Sequence, residues 1–386
     1  MLLLALRFRR GLQAPSARIF RITTAVRAWN TCGSGVGSPI LYPLFVRESK
    51  KVRRAGFSFG RLIRMVGFLT LQGLWPLIRR IKWLTVFAVN AGRRDDVLAY
   101  CPSFLEGWFR KNRPVSPGGW AFTPGHMPSL VVVSPFSNDE FKRNPDLCIR
   151  VIESLKTLRA RRIALNGVIP AALSLHGLWD RSDERFVRDQ KGTVFMVLEN
   201  VREIVRRHPK AFSLRPVVAV VGAGYTGARV ARGLAEAGFN VMALDRRPEA
   251  EEESDFRGVR FVGRNTEFLS EVGLVVLLTG KGDDGVNTIL PNVLPGTIVL
   301  SDTHPKVSKT KWAALVDKGI IPYESAAFRR GSVFFPALPR FKRDTLPGCV
   351  VQAFCEALAG RVPASQQEFN EMARAVSLEG RLDSPR

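Results

Sequence analysis

Glycine stands first, third and sixth in the run Gly222-Ala223-Gly224-Tyr225-Thr226-Gly227, directly after the apolar stretch Val217-Val218-Ala219-Val220-Val221. That spacing suits a phosphate cradle. Gly222 permits a tight turn, Gly224 lets backbone approach a pyrophosphate, and Gly227 lets a following helix pack closely on the strand. The helix starting around Tyr225 and Thr226 would offer free N–H groups and partial positive charge to an anion. Asp245 ends a second apolar stretch about twenty residues on, where an acid accepts from the ribose hydroxyls of an adenosine. The pattern therefore predicts a dinucleotide site, the plainer alternative being a structural turn. The cofactor is expected to be NAD or NADP. Asp245 repels a 2′-phosphate and favours NAD, whereas Arg246 or Arg247 could pair with one.

The later strands of such a domain end beside the nicotinamide, because ligands sit outside the carboxyl ends of the strands. That selects Thr279-Gly280-Lys281 for the cofactor, and the segment Ser301-Asp302-Thr303-His304-Pro305-Lys306 for chemistry. His304 could serve as general acid to a carbonyl, or be a loop histidine bonded to backbone. Lys306 could polarise a carbonyl or hold a carboxylate, or be a solvated surface residue. Cys355 is a candidate nucleophile, or a buried thiol of a helix core. The five cysteines form no CxxC pair, and His126, His176 and His208 are dispersed, so no metal site is expected.

These residues need a scaffold. Apolar stretches at 217–221, 240–244, 259–262, 273–279, 297–301 and 319–323 alternate with helical patterns such as 308–317, predicting a Rossmann-type, doubly wound parallel sheet. Before it, strands at 130–133 and 162–165 alternate with helices at 147–158 and 171–175, and a helix at 193–205 leads into the sheet. The fold class is therefore α/β, with a smaller α/β substrate domain ahead of the dinucleotide domain. The expected organisation is a basic head over 1–50, an amphipathic helical segment over 51–100, and a substrate domain over 101–213. The dinucleotide domain follows over 214–345, and a C-terminal helix and tail over 346–386. The final helix, 349–358, is expected to return to the substrate domain.

Lys and Arg number 58 against 34 Asp and Glu, a formal net charge of +24, and 46% of the residues are hydrophobic. That composition excludes wholesale disorder and favours anionic partners. Before Asp95 the only acid is Glu48. Residues 1–30, rich in arginine and free of acids, read as an organelle transit segment or as sequence ahead of the true start. The stretch 57–92 has an apolar run from Met65 to Ile78, too short to span a bilayer, then a basic cluster and a second apolar piece from Trp83 to Val89. It suits a helix in an anionic membrane interface, with Trp75 and Trp83 at headgroup depth, or an ordinary buried helix pair. An intracellular protein, at a membrane surface or in an organelle, is the expectation. Nucleic acid is not an expected partner, since no recognised binding pattern is present.

The stretches LNGVIPAAL (165–173), VVGAGYTGARV (220–230), IVLSDTHPKVS (298–308) and LPGCVVQAFCEALAG (346–360) resemble the long-chain acyl-ACP reductases and the related predicted amino-acid dehydrogenases. The resemblance covers roughly residues 129–360. It implies a substrate domain, a nicotinamide-binding Rossmann domain and reduction of a fatty acyl thioester, on a small molecule or an acyl carrier, through a cysteine thioester. The family's nucleophile stands three residues before the glutamate of the last helix, and Ala353 occupies that place here, with Cys349 and Cys355 on either side. The resulting expectation is an NAD(P)-dependent oxidoreductase acting on a carbonyl-level, fatty-acyl-derived substrate. The alternative is a non-catalytic, dinucleotide-sensing or membrane-associated protein that keeps the Rossmann unit alone.

Overall fold

The computed structural model describes residues 72–91, 103–178, 182–245, 258–335 and 341–385, with Val66, Thr70 and Leu338. The chain divides into Met1–Ser58 and Phe59–Arg386, and all described residues lie in the second unit. The basic head and the arginines Arg246 and Arg247 fall outside the described residues.

The first half of that unit runs α1 (Trp75–Ile78), β1 (Lys82–Ala91), α2 (Ser103–Asn112), β2 (Ser116–Phe122), β3 (Ser129–Ser137), α3 (Asn138–Arg143), α4 (Asp146–Lys156), β4 (Arg159–Leu165) and α5 (Ile169–Leu175). The second half runs α6 (Lys191–Arg207), α7 (Pro209–Leu214), β5 (Val217–Val221), α8 (Tyr225–Glu236), β6 (Asn240–Leu244), β7 (Val259–Phe261), β8 (Val272–Leu277), α9 (Gly282–Ile289), β9 (Ile298–Ser301), α10 (Lys309–Asp317) and β10 (Ile321–Arg329). It closes with β11 (Val333–Phe335), β12 (Thr345–Leu346), α11 (Gly348–Ala359), α12 (Gln366–Ala375) and β13 (Leu378–Asp383).

The second sheet has the order β7-β6-β5-β8-β9-β10-β12, with β13 also on β10. Strands β5 to β10 are parallel, while β12 and β13 join antiparallel. The strand order reverses direction between β5 and β8, which opens a crevice there in every doubly wound sheet. Val220, Val276 and Leu300 face α6 and α8 in one core. Val221, Val275 and Val299 face α9 and α10 in another. Burial on both faces is why these strands are unbroken apolar runs.

The first sheet has the order β11-β2-β3-β1-β4. Strand β1 is parallel to both β3 and β4, with Val86 opposite Leu130 on one side and Ile163 on the other. This corrects the helical reading of the second apolar piece; much of the amphipathic helical segment expected over 51–100 lies outside the described residues. The piece from Trp83 to Val89 is an interior strand. Phe87 joins the core shared by the two sheets, while Val86 and Ala88 join the core on the opposite face. Trp83 is only 6% exposed and its indole N–H donates to the Ile78 carbonyl at 3.1 Å, so it does not sit at a headgroup. The apolar run in a basic setting reflects a doubly buried strand with solvated ends. Among the described residues, no helix is long and apolar enough to cross a membrane.

The expected domain boundaries also shift, because the chain crosses between the sheets more than once. Strand β11, from the stretch assigned to the dinucleotide domain, pairs with β2 of the first sheet, Phe335 opposite Trp120. Strand β13, from the expected tail, completes the second sheet. Helix α11 returns to the first domain, where Phe354 packs on Phe87 with ring centroids 6.2 Å apart. The Arg162 guanidinium of β4 reaches the Glu356 carboxylate of α11 at 3.0 Å.

Candidate functional site

A cleft of about 850 Å³ lies between the carboxyl ends of the parallel strands of the two sheets. Its dinucleotide side is built from the β5–α8 turn. Gly222 has φ +91°, and a Cβ there would stand 2.8 Å from the Thr279 amide nitrogen. A Cβ on Gly227 would stand 2.1 Å from the Gly222 carbonyl oxygen. Both positions therefore require glycine. Gly224 caps α8 without any side-chain hydrogen bond, leaving the first N–H groups of the helix for a ligand. Asp245, Thr226, Thr279 and Gly280 line the same cleft, in the order a dinucleotide would cross the ends of β6, β5 and β8. Tyr225 lines it too, with its hydroxyl donating to the Arg188 carbonyl at 2.8 Å and its ring under the Arg229 guanidinium at 4.1 Å. Burial raises the pKa of this phenol. The turn has the backbone freedom, the close approaches and the open helix end that a pyrophosphate needs, so the residues present fit the cofactor.

The rest of the cleft is made of residues that end strands of either sheet. Asn90 stands next to last in β1, Asn166 follows β4, and Asp302 follows β9, its N–H donating to the Leu277 carbonyl at 3.0 Å. Asn138 opens α3. Its amide nitrogen donates to the His304 carbonyl at 2.7 Å. A carbonyl only accepts, so the Asn138 side-chain oxygen is left to accept from the Asn90 side-chain nitrogen, with which it is in hydrogen-bond contact. That relay fixes the Asn90 amide, whose oxygen then has no donor among the described residues. Asn90 is only 1% exposed. The Nε2 of His304 in turn meets the Asn90 carbonyl oxygen at 3.2 Å and must donate to it. His304 thus joins the dinucleotide domain to the first domain. It lines the cleft, but the proton a general acid would use at Nε2 is committed to backbone, which corrects the expectation of an acid there.

Lys306 also lines the cleft. Its ammonium is 2.5 Å from the Glu324 carboxylate and 4.1 Å from the centroid of the Phe341 ring, so its charge is largely balanced. Cys355 is buried in α11 and does not line the cleft. Burial, with the Glu356 charge beside it, pushes its thiol up to about 12. The expected nucleophile is a core thiol, and Ala353 is likewise a buried core methyl. Among the described residues the cysteine that reaches the cleft is Cys349, whose Sγ donates to the Asn166 side-chain oxygen at 2.9 Å. Burial, then the nearby Asp302 charge, raises its pKa as well, which opposes a standing thiolate.

Nothing in residue type sets Asp302 apart from its neighbours in the sequence, or marks Asn90 and Asn138 as parts of a site. Burial pushes the Asp302 carboxyl up to about 6, against a smaller opposing pull from Lys306. The available signal was positional: Asn90, Asn166 and Asp302 each stand just past or at the end of an apolar parallel strand, where ligands bind in such sheets.

Residues 217–322 match the family model of the NAD-binding domain of 6-phosphogluconate dehydrogenase. No curated protein matches the chain in sequence. Among solved structures, shikimate 5-dehydrogenase from Thermus thermophilus is similar at 16% identity over 76% of this chain and 99% of that one, with a TM-score of 0.40. L-tryptophan dehydrogenase from Nostoc punctiforme is similar at 15% identity over 78% of this chain and 82% of that one, with a TM-score of 0.37. The 3-hydroxyisobutyrate dehydrogenase from Mycobacterium tuberculosis is similar at 21% identity over 28% of this chain, with a TM-score of 0.26, and the match spans only 40% of its length. The glycine turn, the strand order and the family match agree: the second domain is an NAD(P)-binding Rossmann domain of the dehydrogenase type.

Proposed function

We propose that this protein is an NAD(P)-dependent oxidoreductase whose carbonyl-level substrate lies between the two domains. The observation that carries the reading is that one cleft holds the glycine turn of a dinucleotide site, Asp302 at the β9 end of the same sheet, and Asn90 and Asn166 from the strand ends of the first sheet. When bound, the cofactor supplies or accepts hydride at its nicotinamide ring. The chain's own residues do the rest. The Gly222–Gly227 turn and the α8 N-terminus would hold the pyrophosphate, Asp245 the adenosine ribose, and Thr279 and Gly280 the nicotinamide half. Asn90, fixed by Asn138, and Asn166, whose side-chain oxygen accepts from Cys349, orient the polar end of the substrate. Val168, Ala172, Leu175, Leu338 and Phe341 line the same cleft and would take an apolar portion, which supports a substrate with an aliphatic chain.

Among the described residues a thioester route would have to use Cys349, since Ala353 and Cys355 lie in the core; direct hydride transfer asks nothing of a thiol with a raised pKa. The test is a fluorescence titration with NADH and NADPH, followed by nucleotide oxidation with a panel of aldehydes, ketones, 2-oxo acids and acyl thioesters. Binding is expected in the parent and not in Gly224→Val, with turnover of one class in the panel. Nucleotide binding with no turnover across the panel would instead favour a sensing role.

A further inference from the structure

Asp302 is a carboxylate in the wall of the cleft, yet among the described residues no side chain or backbone N–H donates to it. The one cation acting on it, Lys306, is paired with Glu324. The α11 N-terminus closes over it so tightly that a Cβ on Gly348 would stand 3.2 Å from its Oδ2. Asp302 is half-buried, and a carboxylate drawn partly out of water without a donor is costly; structural needs do not account for it, since Ser301 and Thr303 on either side already bond each other at 3.0 Å. Its place is informative as well. With the adenosine ribose at Asp245 after β6 and the pyrophosphate at the β5 turn, the dinucleotide runs toward the ends of β8 and β9. Asp302 stands at the β9 end.

We propose that Asp302 is the proton-transfer group of this cleft, taking the proton of a substrate hydroxyl as that carbon is oxidised and returning it on reduction. The inference rests on the NAD(P) reading above. In the oxidising direction the substrate O–H bond breaks and its proton forms an O–H bond on the Asp302 carboxylate. The C–H electron pair leaves as hydride to the oxidised nicotinamide, and the carbon is left as carbonyl. Reduction runs the same transfers backwards. Asn90 and Asn166, on the facing wall, hold the substrate's polar end, and Asp302 exchanges its proton with water between turnovers.

A carboxyl so placed must feel the charge of the nicotinamide ring, which is cationic when oxidised and neutral when reduced. Oxidised nucleotide therefore favours the ionised carboxylate and expels its proton; reduced nucleotide does not. The other ionisable groups around it are His304 and Lys306 on its own loop, Glu324 of β10 behind Lys306, and Cys349 of α11. The carboxyl titrates near 6, so the effect belongs to mildly acidic pH.

The experiment is calorimetry of NAD⁺ and NADH binding to the full chain in buffers of different ionisation enthalpy, which counts protons. Near pH 6, NAD⁺ is expected to release about half a proton per site and NADH none, and near pH 8 both release none. Asp302→Asn should bind both nucleotides and lose the release, while His304→Gln keeps it. Equal proton release for NAD⁺ and NADH in the parent near pH 6 overturns the proposal without need of any variant, as does release that survives in Asp302→Asn. A parent that binds neither nucleotide is a different result, and sinks the cofactor reading itself.

Discussion

Gly227 leaves no room for a side chain, since its Cβ would meet the Gly222 carbonyl oxygen at 2.1 Å. Gly227→Ala must push α8 away from β5. It should cost about 1–3 kcal/mol of stability and weaken NADH binding by about tenfold or more, read by urea melts and fluorescence titration. Asp245 acts through charge. Asp245→Ala should move the ratio of dissociation constants toward NADP by about tenfold, which is 1.4 kcal/mol; an unchanged ratio would remove its role against the 2′-phosphate. Asp302 makes a prediction about stability as well. Its native carboxyl titrates near 6 against an ordinary 3.8, so the folded state binds the proton more tightly than the unfolded state. Stability is favoured below about pH 4 and falls as pH rises through 6, a loss of about 3 kcal/mol. Asp302→Asn should therefore melt higher than the parent near pH 8 and lose that advantage near pH 4.

At the scale of elements, the Rossmann half was legible because its signals are local: the buried strands β5, β6, β8 and β9 read as apolar runs, and the glycine turn carries its own spacing. The first domain was harder. Strand β1 looked like an interfacial helix because its apolar run sits beside Arg79, Arg80 and Lys82. Strand β2, Ser116–Phe122, carries Pro117, Gly118 and Gly119, residues that argue against a strand. They are tolerated because the β2–β3 register shifts between Pro117 and Gly119, and because a Cβ on Gly118 would strike Val133 at 2.4 Å. The candidate site divides the same way. The glycines and Asp245 were readable, whereas the roles of His304, Cys355 and Asp302 depend on partners more than forty residues away or on burial alone. Helix α11 gives the element-scale prediction. Glu356 is 3% exposed, bonded to Gln352 at 2.8 Å and paired with Arg162 at 3.0 Å. Arg162→Ala leaves that carboxylate buried and should cost about 3–5 kcal/mol. Replacing both Arg162 and Glu356 by methionine should cost less than the single change, and a double-mutant cycle by urea unfolding measures the difference.

For the whole molecule, β1 decides where the chain can be shortened. Its strand lies between β3 and β4, so a chain lacking residues 1–92 loses an interior strand and exposes two unpaired edges. That chain should aggregate. A chain lacking residues 1–58 keeps every described element and should remain folded and bind NADH. Size-exclusion chromatography and NADH titration distinguish the two outcomes; a folded, NADH-binding chain from the longer deletion would show that β1 is dispensable.

The late return of β11 to the first sheet has a consequence in time. As the polypeptide leaves the ribosome, β2 and β3 are complete some two hundred residues before Val333–Phe335 emerges to cover the outer edge of β2. Throughout that interval the edge bearing Trp120 and Phe122 faces solvent or a chaperone. The nascent protein is thus most vulnerable midway through its synthesis, while the Rossmann half is still being made. Slowing translation between β3 and β11 should lower the soluble yield more than slowing it after β13.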